Sequence, residues 1–150
     1  MATVDFDSSK LAIESVKINT TAADFIVHEP IPSLGSKISV KLPEDLRAEG
    51  SHFNVQINYA TDPDASAVQW LEPSATKGGK YPYVFTQSQA IHARSLLPCF
   101  DSPGMKSTYT ATIKAPTWCT GSPVINAWIV VNNARVISHI LSEQAKKRHL

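Results

Sequence analysis

Three observations predict an all-β, antiparallel, sandwich-like fold with a C-terminal helical tail. Apolar and polar residues alternate with period two at Lys37–Leu42, His52–Ala60 and Ser107–Ala115. Such alternation marks strands buried on one face. Short runs of Gly, Pro, Asp and Asn separate these segments, as turns between many short strands require. Helical spacing is confined to the end of the chain, where Val136, Ile137, Ile140 and Leu141 fall on one stripe.

Leu11–Ile18 and Phe25–His28 are the weaker strand candidates at the front, and Asn19–Asp24 between them reads as a hairpin loop. In Lys37–Leu42, Ile38, Val40 and Leu42 share one face and Lys37, Ser39 and Lys41 the other. The polar stretch Pro43–Gly50 connects it to His52–Ala60, whose Phe53, Val55, Ile57 and Tyr59 point one way. Ala67–Leu71 is a short strand after the Asp62–Pro–Asp64 turn. Pro73–Lys80 has the composition of a surface loop, and Tyr83–Thr86 resumes extended chain. The pattern divides the chain into a β domain over 1–116 and a divergent tail over 117–150, with a helix over 133–148 that Asn132 or Asn133 can cap.

Composition narrows the function. The 150 residues hold 43% apolar and 18% charged side chains, as soluble globular domains do. Fourteen basic and thirteen acidic side chains leave a net charge of +1, with no electrostatic footprint for nucleic acid. Lys146–Lys147–Arg148, the one basic cluster, reads as a solvated helix end. The apolar run Ile125–Val131 is too short to span a bilayer, and the N-terminus lacks the charged and apolar regions of a signal peptide. A cytoplasmic protein without membrane partners is expected. Cys99 and Cys119 do not form a C-x-x-C pair, so they do not suggest structural zinc.

The most specific stretch is Tyr81–Pro–Tyr–Val–Phe–Thr–Gln–Ser–Gln–Ala–Ile–His–Ala–Arg94, followed by Pro98–Cys–Phe–Asp–Ser–Pro103. With Gln69–Trp70–Leu71 before it, this sequence resembles the N-terminal β domain of the zinc aminopeptidases. The likeness is nearest to their aminopeptidase B and leukotriene hydrolase branch. It runs from about Leu11 to Pro116, beginning partway into the family's β domain, so an incomplete domain is expected.

The resemblance implies that the Gln-x-Gln-Ala stretch reaches into a substrate cleft, which makes Gln87, Gln89 and Ala90 the substrate-binding candidates. The chemistry suits an aminopeptidase, because an amide oxygen accepts hydrogen bonds from a free α-amino group. In extended chain, residues at i and i+2 lie on one face. The competing reading makes them solvated polar residues on a strand. Pro98–Pro103 reads as scaffold: two prolines bracket a turn, Cys99 and Phe100 fill the core, and Arg94 pairs with Asp101. Cys99 has no helix start or adjacent cation in sequence to activate it, and His92 reads as a loop histidine.

Catalysis in the family requires H-E-x-x-H on a helix, two zinc-ligating histidines with a carboxylate base between them. His28–Glu29 is followed by Pro30–Ile31–Pro32, and His139 has Glu143 four residues on but no partner histidine; His52, His92 and His149 stand apart. No catalytic residue, metal ligand or cofactor is therefore expected in this chain, zinc belonging to the full-length family. The expected function is a truncated N-terminal domain, inactive alone, with a peptide substrate only when joined to a catalytic domain. The alternatives are a piece of a full-length aminopeptidase and a stand-alone binding or regulatory β module. Self-association through an exposed β edge is the expected hazard of an incomplete sheet.

Overall fold

A computed structural model describes residues 2–106. The expected strand at Ser107–Ala115, the helix over 133–148 and Cys119 lie outside the described residues. Eight strands are present: β1 (Thr3–Ser8), β2 (Ala12–Ile18), β3 (Thr21–Ala22), β4 (Phe25–Val27), β5 (Ser36–Lys41), β6 (Val55–Ala60), β7 (Val68–Leu71) and β8 (Tyr83–Thr86). They form two three-stranded sheets, ordered β1-β5-β4 and β3-β2-β6, and a β7-β8 hairpin, with every pairing antiparallel. The all-β expectation holds over these residues.

One hydrophobic core joins the two larger sheets. Phe6, Ile38 and Val40 come from the first, and Val16, Ile18, Val55, Ile57 and Tyr59 from the second; Leu96, Leu97 and Cys99 complete it from the later loop. The inward residues alternate along β5 and β6, as the pleat requires. Ser39 is also buried, on the opposite face of β5, where β1 and β4 flank it.

Three sequence expectations change. Asn19–Asp24 is not a simple loop joining two paired strands. Asn19 takes a left-handed conformation (φ 55°), which asparagine tolerates, and Thr21–Ala22 folds back onto β2. The chain then crosses to the other sheet, so β4 pairs with β5 and not with β2. Phe100 does not fill the core: it is 37% exposed and stacks on Phe6 with ring centroids 5.2 Å apart. The third change is β1, which the sequence pattern left without an element. Its Asp5 and Asp7 disfavour a strand by propensity, yet each has a partner: Lys37 lies 3.1 Å from Asp5, and Asp7 accepts the Asp101 N–H at 3.0 Å. Among the described residues, no helix is long and apolar enough to cross a membrane.

Candidate functional site

Gln87, Gln89 and Ala90 occupy the end of the β7-β8 hairpin and the turn that follows it. β8 runs beside β7 with Val68 opposite Thr86 and Leu71 opposite Tyr83. The Gln87 N–H carries this pairing one step further, donating to the Ala67 carbonyl at 2.9 Å. Regular strand stops at Thr86; Gln89 and Ala90 open a turn, and the peptide between them is cis. Strand periodicity therefore does not place Gln87 and Gln89 on a shared face. All three candidate residues are exposed, while Ser88 is half-buried.

The turn closes on a short 3-10 segment, Ala93–Ser95, and a set of hydrogen bonds ties it back to the chain ahead of β7. The His92 N–H donates to the Ser88 carbonyl (3.0 Å). Ser95, fully buried, accepts the Ala67 N–H at its Oγ (2.9 Å) and donates to the His92 carbonyl (2.8 Å). Ser66 Oγ donates to Ser95 Oγ (3.2 Å) and lies 2.8 Å from His92 Nδ1, in a bond whose donor depends on the imidazole tautomer. His92 is thus a loop residue with a defined partner.

Arg94 anchors the far side of the same segment. Its Nε and its backbone N–H both donate to Asp101 Oδ2, at 2.9 and 3.1 Å. One terminal nitrogen donates to the Leu34 carbonyl at 2.7 Å and the other to the Asp101 carbonyl at 3.0 Å. Asp7 adds a carboxylate oxygen 3.6 Å from the guanidinium. The planar donor fork of arginine can satisfy this many acceptors at once, so a buried charge is fully partnered. The pairing with Asp101 expected as scaffold is present.

Cys99 lies in the core, bridged to Asp7 on β1. Its thiol is pushed up to about 12, chiefly by burial and then by the charges of Asp101 and Asp7, against a smaller opposing effect of Arg94. That environment suits a structural thiol. His28 Nε2 lies 2.9 Å from Ser39 Oγ, and His52 is exposed on the loop before β6. Among the described residues, no group of three or more His, Cys, Asp or Glu side chains could hold a metal ion.

Ser66, Ser95 and Asp7 did not stand out in the sequence. Ser66 and Ser95 are 29 residues apart, and a hydroxyl in a loop carries no signal of its partner.

The Peptidase M1 N-terminal domain family matches residues 2–139, a span that includes β1. "Leucine aminopeptidase 2-2" of Scheffersomyces stipitis is 42% identical over 123 residues, covering 81% of this chain and 19% of its own. "Leucine aminopeptidase 2" of Saccharomyces cerevisiae is 43% identical over 110 residues, covering 73% of this chain and 16% of its own. The solved structure of native leukotriene A4 hydrolase from Saccharomyces cerevisiae superposes with a TM-score of 0.66 at 39% identity, over 77% of this chain and 18% of that one. The chain thus spans about a fifth of the length of these relatives. By sequence and by strand arrangement alike, the chain belongs to the Peptidase M1 N-terminal domain family.

Proposed function

We propose that this chain serves as the N-terminal β domain of a zinc aminopeptidase of the leukotriene hydrolase-like branch, and that it does not hydrolyse peptides alone. The observation that carries the reading is the exposed Gln87–Ala90 turn, held at one end by the β7-β8 pairing and at the other by hydrogen bonds into the 3-10 segment Ala93–Ser95. Gln87 and Gln89 each offer an amide oxygen that can accept from a substrate's α-ammonium group. Ala90, with its small side chain, leaves room for peptide backbone beside them. The described residues do not fit a zinc site, so bond cleavage is assigned to a domain that they do not supply. A cytoplasmic location belongs to the same reading.

Two measurements test it. The 150-residue chain alone, assayed on aminoacyl chromogenic substrates with added zinc, is expected to show no turnover; chelator-sensitive turnover well above blank overturns that part. A chimera then carries this β domain in place of the matching segment of Saccharomyces cerevisiae leucine aminopeptidase 2. There, Gln89→Ala is expected to lower kcat/KM roughly ten- to a hundredfold, the loss of about 1.5–3 kcal/mol from one hydrogen bond to a charged amine. Ser88→Ala is expected to cost less, and zinc content to stay unchanged. Equal, negligible effects of Gln87→Ala, Ser88→Ala and Gln89→Ala overturn the substrate-binding role.

A further inference from the structure

We propose that Ser66, His92 and Ser95 are positioning residues for the Gln87–Ala90 turn, fixing how the two glutamines are presented. This assignment rests on the reading of Gln87 and Gln89 as substrate contacts.

The hydrogen bonds form a closed circuit. Ser95 Oγ takes the Ala67 N–H, and the carbonyl of that same Ala67 takes the Gln87 N–H. On the other side of the turn the His92 N–H holds the Ser88 carbonyl, and Ser95 Oγ holds the His92 carbonyl. Both ends of the turn are therefore referenced to one residue, Ala67, which is itself fully buried. Ser95 is 2% exposed and acts through backbone that it fixes. Ser66 adds the side-chain link, meeting His92 Nδ1 and Ser95 Oγ together, so the imidazole is held to the rim of the circuit. The turn otherwise has exposed side chains at Gln87, Gln89 and Ala90 and no core anchor of its own. A backbone segment of this kind moves unless its peptide groups are tied, and a shift of about 1 Å in a contact residue is enough to cost substrate use heavily.

The test has two arms. In the first, amide exchange is measured on the full 150-residue chain. Ser95→Ala is expected to speed exchange at Ala67, Gln87 and His92 by about tenfold or more, the loss of a net hydrogen bond. Amides of Val16 and Ile57 in the β2-β6 pair are expected to stay unchanged. Uniform acceleration everywhere, or none at the three amides, overturns the assignment.

The second arm is a double-mutant cycle in the chimera. With the circuit broken by Ser95→Ala, the kcat/KM penalty of Gln89→Ala is expected to shrink at least about threefold, because coupled residues do not add. His92→Ala should do the same, and His92→Asn, which keeps a polar group near the Nδ1 position, should restore the parent penalty. Penalties that multiply independently overturn the positioning role, since a merely structural residue gives no such coupling. If Ser95→Ala does not fold, the cycle is run with the exposed His92 variants. If Gln89→Ala costs nothing in the parent chimera, the substrate reading fails while the exchange arm still decides whether the circuit holds the turn.

Discussion

Arg94 binds Asp101 twice through one oxygen: its side-chain Nε and its own backbone N–H converge on Asp101 Oδ2, at 2.9 and 3.1 Å. The carboxylate thus fixes the rotamer of the arginine and the start of the 3-10 segment together. Each side chain is about nine-tenths buried, so removing one partner strands a charge in the interior.

Arg94→Ala is therefore expected to destabilise the chain by about 3–5 kcal/mol, the usual cost of breaking a buried ion pair. Arg94→Lys should recover little, because an ammonium cannot reach Asp101, the Leu34 carbonyl and Asp7 with one planar fork. Urea denaturation of the three proteins measures this. A lysine variant as stable as the parent would show that charge alone matters.

Cys99 should resist alkylation in the folded chain. Its thiol is raised from 9.0 to about 12, so the thiolate is scarce at ordinary pH. Iodoacetamide at pH 8 followed by peptide mapping should label the Cys99 peptide in denaturant and leave it unlabelled without. The sign of the pH effect follows. A folded value above the unfolded one contributes stability that is fully present below about pH 9 and is lost as pH rises toward 12. Stability curves for Cys99→Ala should lack that alkaline loss.

Asp5 titrates below its usual 3.8, first because Ser39 hydrogen-bonds to it and only then because of Lys37. Its contribution is present above the unfolded value and fades as pH falls through the folded one. Ser39→Ala and Lys37→Ala should therefore each move the Asp5 midpoint back toward 3.8. Carboxyl-carbon NMR titration reads both; a midpoint that Ser39→Ala leaves unchanged removes the hydroxyl as the first cause.

Gly35 has φ 80°, and a Cβ there would fall well inside contact distance of the Ser8 backbone oxygen. Gly35→Ala is expected to cost at least about 1–3 kcal/mol from backbone strain before the clash is counted. The Ile31–Gly35 turn presents the Leu34 carbonyl to Arg94, so part of the loss should disappear in an Arg94→Ala background. Equilibrium unfolding of the single and double variants checks both statements.

The strands that alternate cleanly were legible in sequence. β5 and β6 bury Ile38, Val40, Val55, Ile57 and Tyr59 as their spacing requires, and β8 spans Tyr83–Thr86 as read. β1 was not legible, because Asp5 and Asp7 oppose a strand until their distant partners are known. The left-handed turn at Asn19 that folds Thr21–Ala22 back onto β2, and the crossing that follows it to pair β4 with β5, leave no mark in alternation. At the candidate site the resemblance picked out Gln87, Gln89 and Ala90, and the structure places them exposed on one turn. The pieces that brace that turn are hydroxyls and peptide groups brought together from residues 66, 67, 92 and 95, where pattern in sequence is silent.

The Asp7–Asp101 hydrogen bond closes a loop across 94 residues of chain. During synthesis β1 emerges well ahead of Asp101, and β1 cannot complete its contacts until Asp101 has followed. Until residues 94–101 emerge, Asp7 lacks both the Arg94 guanidinium and the Asp101 amide, and the face of Phe6 that stacks on Phe100 is uncovered. Folding of this unit is consequently late with respect to synthesis, with loop closure preceding its reward. At about 5–20 residues per second, the first strand waits several seconds for the residues that finish it.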